Sequence, residues 1–294
     1  MTDFDPHFLD RRQVARAFNR AARSYSANAT FQDEIAARLD ERLELVRMAP
    51  QRILEVGAGC GNGVSLLSRR YPQTEIYALD LAVEMLRAGR RYSEREGRVR
   101  HICADAGRLP IGDRSVDLIF SNLTLQWCND LEAVFREFHR VLKIEGLLMF
   151  TTLGPDTLQE LRASWAQVDD GVHVNAFIDM HDIGDALVRA GFSGPVLDAE
   201  TVTLTYVDVP ALMRELKILG AHNVTAGRAH GLSSRRHLQQ MISAYERFRR
   251  PDSRLPATQE VIYGHGWVPP ADARPQDGST VATFPLSQLR RRVT

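Results

Sequence analysis

The chain has 294 residues, 44% hydrophobic and 25% charged, and its 37 basic and 37 acidic side chains leave a formal net charge of zero. That is the composition of a soluble globular protein, one large domain or a domain with an elaboration; it lacks both the positive excess and the motifs of a nucleic-acid binder and any apolar run near the ~20 residues of a membrane span. Cys60, Cys103 and Cys128 form no paired pattern, and Met1-Thr2-Asp3-Phe4-Asp5 is no basic-then-apolar signal, so the expectation is a cytoplasmic protein with free thiols and no nucleic-acid or membrane partner.

Residues 10–48 read as helical. Val14, Phe18, Ala21 and Tyr25 keep helical spacing, and Ile35, Leu39, Leu43 and Val46 do so again after a break around Ser24–Thr30. Two helices ahead of the first strand can form a lid over a site at the strand ends, or simply pack on the sheet. From Gln51 strand and helix alternate, with strands expected near 52–56, 75–79, 99–103, 116–121 and 146–152. The helix at 131–142 carries the clearest apolar stripe: Leu131, Val134, Phe135, Phe138, Val141 and Leu142. Alternation of this kind implies an α/β fold, a doubly wound and mostly parallel sheet. Ligands of such sheets sit at the carboxyl ends of the strands.

The chain is organised around its first strand and the glycine-rich loop at its end. The run Ile53-Leu54-Glu55-Val56 ends in Gly57-Ala58-Gly59-Cys60-Gly61-Asn62-Gly63, and a helical pattern with Leu67 and Tyr71 on one face starts near Val64. Glycines let the backbone turn sharply and approach a ligand, and the helix start offers free N–H groups. The dinucleotide fingerprint needs a glycine at its sixth position; here that place falls on Asn62 or Val64, so both frames fail. The second strand ends at Asp80, whose carboxylate can accept from both hydroxyls of a ribose. The third ends in Cys103-Ala104-Asp105-Ala106, where Asp105 can accept from an adenine amino group. The fourth runs into Asn122-Leu123-Thr124-Leu125-Gln126-Trp127, an edge facing the reacting groups.

Charge is segregated downstream. Residues 151–210 hold ten acidic and two basic residues, whereas residues 209–250 hold eight basic ones, among them Arg214, Lys217, Arg228, Arg235 and Arg236, against Glu215 and Glu246. The basic stretch is either an exposed helical face or a docking patch for an acidic partner. His173, His181 and neighbouring aspartates suggest a metal cluster, but capping is the preferred reading, with Asp182 placed to cap a helix containing Ile183, Leu187 and Val188; no metal is expected. His265 and Trp267 read as structural, and the tail beyond Pro269, rich in Pro, Gly, Asp and Arg, as mobile.

The spacing G-x-G-x-G after Glu55, with Asp80, Asp105 and the Ser121–Trp127 segment, resembles the class I S-adenosylmethionine methyltransferases over roughly residues 50–152. The resemblance implies a Rossmann-like sheet of seven strands, the last antiparallel, with the final two at about 196–206 and 259–267. It also implies S-adenosylmethionine held by Glu55, Gly57, Gly59, Gly61, Asp80, Leu81, Met85, Asp105, Ala106 and Asn122.

Arg12–Tyr25, His173–Asp182, Leu216–Asn223 and Glu260–Trp267 resemble a narrower family, the malonyl-acyl carrier protein O-methyltransferases of biotin synthesis. That likeness implies methylation of the free carboxylate of a malonyl thioester, giving an ester that enters fatty-acid elongation as a primer. It divides the chain into an N-terminal helical lid at 1–48, a methyltransferase domain at 49–268 with a helical insert at about 209–250, and a mobile tail at 269–294. A malonyl carboxylate is already anionic, so alignment rather than a base is required. Tyr25 in the lid is the candidate for that alignment, and an arginine is expected to meet the carboxylate. Arg214, Lys217, Arg228, Arg235 and Arg236 become candidates for docking the acidic acyl carrier protein, with Arg11, Arg12 and Arg16 as the other choice. Three alternatives stay open: a methyltransferase-fold arginine hydroxylase, which would need a metal; a methyltransferase of a quinone precursor or small acid; and a non-catalytic cofactor-binding assembly factor.

Overall fold

The computed structural model describes residues 5–93, 98–228 and 234–270, apart from the side chains of 91–93. Two helices come first, α1 (Arg11–Tyr25) and α2 (Thr30–Arg42). Next come β1 (Arg52–Val56), α3 (Asn62–Arg70), β2 (Glu75–Asp80), α4 (Val83–Ser93), β3 (Val99–Cys103), β4 (Val116–Ser121), α5 (Leu131–Val141) and β5 (Leu142–Leu153). The second half is α6 (Gln159–Trp165), α7 (Met180–Arg189), β6 (Ser193–Tyr206), α8 (Val209–Ile218), α9 (Arg235–Tyr245) and β7 (Leu255–Trp267).

The seven strands form one sheet in the order β3-β2-β1-β4-β5-β7-β6. β1 to β5 are parallel, and β7 runs antiparallel between β5 and β6. Period-two alternation sorts the strand residues between two faces. Leu54, Val56, Ile119, Leu148 and Phe150 pack with α5 and α7. Ile53, Leu118, Phe120, Leu147 and Met149 pack with α2 and α3. The stripe on α5 buries Leu131, Val134, Phe135, Phe138 and Val141, each contributing about 1.5–3 kcal/mol relative to exposure. A third core joins α6, α8, α9 and the start of β7 through Trp165, Leu212, Met241 and Tyr245.

Element boundaries differ from the sequence reading at three strands. β5 begins at Leu142 rather than 146, because Leu142 pairs with Val116 before a register irregularity brings Leu147 to Leu118. β6 and β7 begin at Ser193 and Leu255, because they pair from Ser193–Trp267 to Tyr206–Leu255 and so carry the sheet out to the third core. The tail is outside the described residues from 271 onward.

The two N-terminal helices part company. α2 packs on the sheet through Ile35 and Leu39, both fully buried, its Arg38 and Arg42 pair with Glu200 and Asp198 of β6 at 2.9 and 2.6 Å, and its first turn reaches the cavity at the strand ends with Phe31 and Gln32. α1 is held over the strand ends instead. Its N-cap Asp10 accepts from the amides of Arg12 and Gln13, and Asn19 accepts from Glu84 N–H at 2.9 Å at the start of α4. The segment before α1 bridges Leu9 to Thr225.

Candidate functional site

Between β1 and β4 the strand order reverses, which opens a crevice at their carboxyl ends. Its walls are tied together by Ser121 Oγ, which donates to the carbonyl of Val56 at 3.0 Å. Gly57, Gly59 and Gly61 take φ of +77°, +52° and +90°, a region that strains any side-chain-bearing residue. A Cβ on Gly57 would collide with the side chain of Thr124. α3 starts at this loop with no side-chain cap, and its first residues, Asn62 and Gly63, line the crevice with the free N–H groups of a helix start.

The crevice and the cavity beside it bring together the sequence-predicted residues. Tyr25, Gly57, Gly59, Asp80, Leu81, Met85, Asp105, Ala106 and Asn122 line the cavity, and Glu55 and Gly61 line its extension along the glycine loop. Asp80 accepts from Gly59 N–H at 2.9 Å and from Ala82 N–H at 2.7 Å, so it shapes the loop as well as facing the cavity. Burial pushes its carboxyl up, and the backbone hydrogen bonds oppose that. Glu55 is 3% exposed, and burial followed by the charge of Asp80 raises it well above the carboxylate range. Its Oε2 has no hydrogen-bond partner among the described residues. Asn122 is spoken for on both sides, donating to the Gln32 carbonyl at 3.0 Å and accepting from Thr151 Oγ1 at 2.7 Å.

α1 contributes the outer wall. Phe18 packs edge-on to Trp127 at 5.1 Å and to Tyr25 at 6.5 Å. Burial raises the Tyr25 phenol, followed by the influence of Cys60 and Asp80. Arg11, named from the sequence only as an alternative carrier-docking residue, pairs with Asp105 at 2.6 Å at the β3 end, a role that no local pattern marked. It is also the one basic residue on the inner cavity among the described residues, the one arginine that this lining offers to a substrate carboxylate, and it is already paired with Asp105. Leu123 and Leu158, both on the wall, have φ of 48° and 55°, the kind of local strain that gathers at functional sites. Asn175 and Phe177 were marked only by the motif containing them; their place on the wall depends on how the 166–179 loop packs.

The remaining candidates separate. Arg214 and Lys217 are exposed on α8, and Arg235 and Arg236 on the first turn of α9. Arg228 is only partly exposed, with one buried guanidinium nitrogen unpartnered among the described residues, and it lines a cavity that the more exposed Arg214 and Lys217 also border. Arg249 is held by Glu246 at 2.6 Å. His173 stacks on Trp165 at 3.8 Å and bonds Asp169 at 2.6 Å. The cap of α7 is Asp179, accepting from His181 N–H at 2.8 Å, and not Asp182, which sits in the first turn. Among the described residues no three His, Cys, Asp or Glu side chains converge on a metal-sized space.

The family described as Methyltransferase domain matches residues 54–150. A malonyl-[acyl-carrier protein] O-methyltransferase of Laribacter hongkongensis is 50% identical over 287 residues, covering 94% of this chain and 96% of its own. One of Methylovorus sp. is 51% identical over 286 residues, covering 95% and 96%. Among solved structures, the YcgJ protein of Bacillus subtilis superposes with a TM-score of 0.57 at 17% identity, covering 79% of this chain and 97% of its own; that likeness concerns the fold alone.

Proposed function

The chain belongs to the malonyl-[acyl-carrier protein] O-methyltransferase family, and from that premise we infer that it methylates the free carboxylate of a malonyl group carried on an acyl carrier protein. The product is the malonyl methyl ester that primes pimeloyl synthesis for biotin. S-adenosylmethionine supplies the methyl as a sulfonium group. The observation that carries this reading is the length of the relationship: it runs through the segments around Asn175 and Ala221 that wall the outer half of the cavity, not only through the cofactor half.

The residues fit a cationic adenosyl ligand. Glu55, Asp80 and Asp105 face the inner compartments, and Glu55 keeps an oxygen without a partner. In this reading Asp80 accepts from the ribose, Asp105 and Ala106 meet the adenine between Leu81 and Met85, and the glycine loop passes along the methionine end. Asn122 holds the Gln32 backbone in place and acts through it. Tyr25 orients the carboxylate. No base is needed, because the nucleophile is already an anion. Attack of a carboxylate oxygen on the sulfonium methyl forms a C–O bond, breaks a C–S bond and cancels two charges, so a dry wall of Phe18, Phe31 and Trp127 favours it. A tight arginine clamp would stabilise the starting anion and slow the step. The unpaired cysteines support a cytoplasmic setting, and no helix among the described residues is long and apolar enough to cross a membrane.

Incubation with methyl-labelled S-adenosylmethionine and a panel of acceptors tests the reading. Label should pass to malonyl-carrier and malonyl thioesters. Transfer to a quinone precursor or a small free acid in their place would overturn it.

A further inference from the structure

A second cavity of about 870 Å³ adjoins the first, and Leu158, Asn175, Phe177, Leu216 and Ala221 belong to both. Its middle is apolar, walled by Trp165, Met213 and Ile242. Its outer end is basic: Arg20, His222, Asn223 and Arg228 are shared with a polar cleft that takes in Arg12 and Arg16. Unpartnered polar atoms mark both ends of this passage. Asn175, 7% exposed, has an Oδ1 with no hydrogen-bond partner at the inner junction. At the outer end a guanidinium nitrogen of Arg228 and Nδ1 of His222 are buried and equally unpartnered among the described residues.

Resting on the function inferred above, we propose that this passage holds the phosphopantetheine arm of the substrate, with its phosphate between Arg20, Arg228 and His222 and an amide N–H donating to Asn175 Oδ1. Arg20 is exposed at the mouth, but a buried guanidinium nitrogen of Arg228 and a buried amide oxygen of Asn175 without partners are costly, and an occupant that satisfies them recovers that cost. No carboxylate among the described residues pairs with Arg20 or Arg228, so the missing counter-charge is an anion from outside. Burial, then Arg20, Arg228 and Lys217, hold His222 below its ordinary range, which leaves it a neutral N–H donor suited to a phosphate oxygen. The nearby carboxylate of Asp10 is occupied with the N-terminal amides of α1 and with Gln13. The apolar middle matches the dimethyl portion of the arm. The order along the passage, anion site, apolar sleeve, amide acceptor, reaction cavity, is the order of groups along such an arm.

Two sources offer this arm, a carrier protein and coenzyme A, and the test includes both. KM is measured for malonyl-pantetheine, malonyl-phosphopantetheine, malonyl-coenzyme A and malonyl-carrier, with wild type and with R20Q and R228Q. Wild type should prefer the phosphorylated arm over the phosphate-free one by roughly 10- to 100-fold in KM, the worth of charge-assisted hydrogen bonds to one phosphate. R228Q should raise KM for the phosphorylated arm toward that of the phosphate-free arm. Equal KM values for the two arms in wild type would overturn the proposal without calling on any variant, while leaving the methyl transfer itself intact. An R228Q effect confined to coenzyme A would overturn the carrier assignment. Failure to methylate any malonyl thioester would instead overturn the function on which the proposal rests.

Discussion

Glu55 carries a carboxyl group that burial and the neighbouring Asp80 hold far above the carboxylate range. In the unfolded chain the same group releases its proton near its ordinary value of 4.5. Between those two points the native state holds a proton that the unfolded state has lost, so stability falls as pH rises through that window. Glu55→Gln removes the titration at nearly constant shape. The ligand-free variant should therefore gain on wild type as pH is raised from about 4.5 toward neutrality, read by denaturant unfolding at several pH values. A constant difference across that range would mean that Glu55 is already ionised in the folded protein. Asp80 makes a different prediction, because its oxygens already accept from Gly59 and Ala82. Asp80→Ala should weaken S-adenosylmethionine binding by roughly 10- to 1000-fold and lower the melting temperature of the free protein as well, since two loop amides lose their acceptor. Titration calorimetry and thermal unfolding measure the two effects, and unchanged affinity would remove Asp80 from the cofactor site.

At the scale of the element, α1 is where lid and site meet. One face packs Ala21 and Ala22 beside Cys60 and Met85, and its N-terminal end is pinned by the Asp10 cap and the Arg11–Asp105 pair. Arg11 is 56% exposed, so this ion pair is a weak latch of about 0–1 kcal/mol and suits a lid that must open. Tyr25 lies at the last residue of the same helix. If its hydroxyl orients the carboxylate, Tyr25→Phe should lower kcat at least 10-fold, about 1.4 kcal/mol, with little loss of cofactor affinity. The ring and its packing on Phe18 survive that substitution, so wild-type turnover would reduce Tyr25 to lid packing.

Across the whole molecule, charge follows function more closely than the zero net value suggests. Acidic groups surround the inner compartments, where a sulfonium is expected, and basic groups surround the outer passage and the helices beside it. Arg235 and Arg236 sit in the first turn of α9, where the helix dipole is already positive. They do nothing for that helix, and as exposed residues they suit the recognition of an acidic carrier surface. Arg235→Glu with Arg236→Glu should raise KM for malonyl-carrier about 10-fold or more while a small malonyl thioester is handled nearly as before. Added salt should weaken only the carrier reaction, because exposed charges are screened beyond ~8–10 Å. Equal losses on both substrates would show a structural role instead.

The doubly wound fold, the glycine loop and the strand-end aspartates were legible in the sequence, because each is written in local spacing: period two in a strand, a helical stripe, glycines at alternate positions, an acid where a strand stops. The sheet rule then sends all of them to one edge without any knowledge of packing. What the insert does was legible only as net charge. Tertiary packing decided that a guanidinium nitrogen of Arg228 is buried, that Arg249 is consumed by Glu246, that Arg11 latches Asp105, and that α2 packs on the sheet and reaches the site with its first turn while α1 covers it. Arg20, Asn175 and His222 come from segments far apart in the chain, and no periodicity links them. Their placement along one passage is set by how α1, α8 and the loops beside them pack, which is a property of long-range contacts and burial that no local pattern carries.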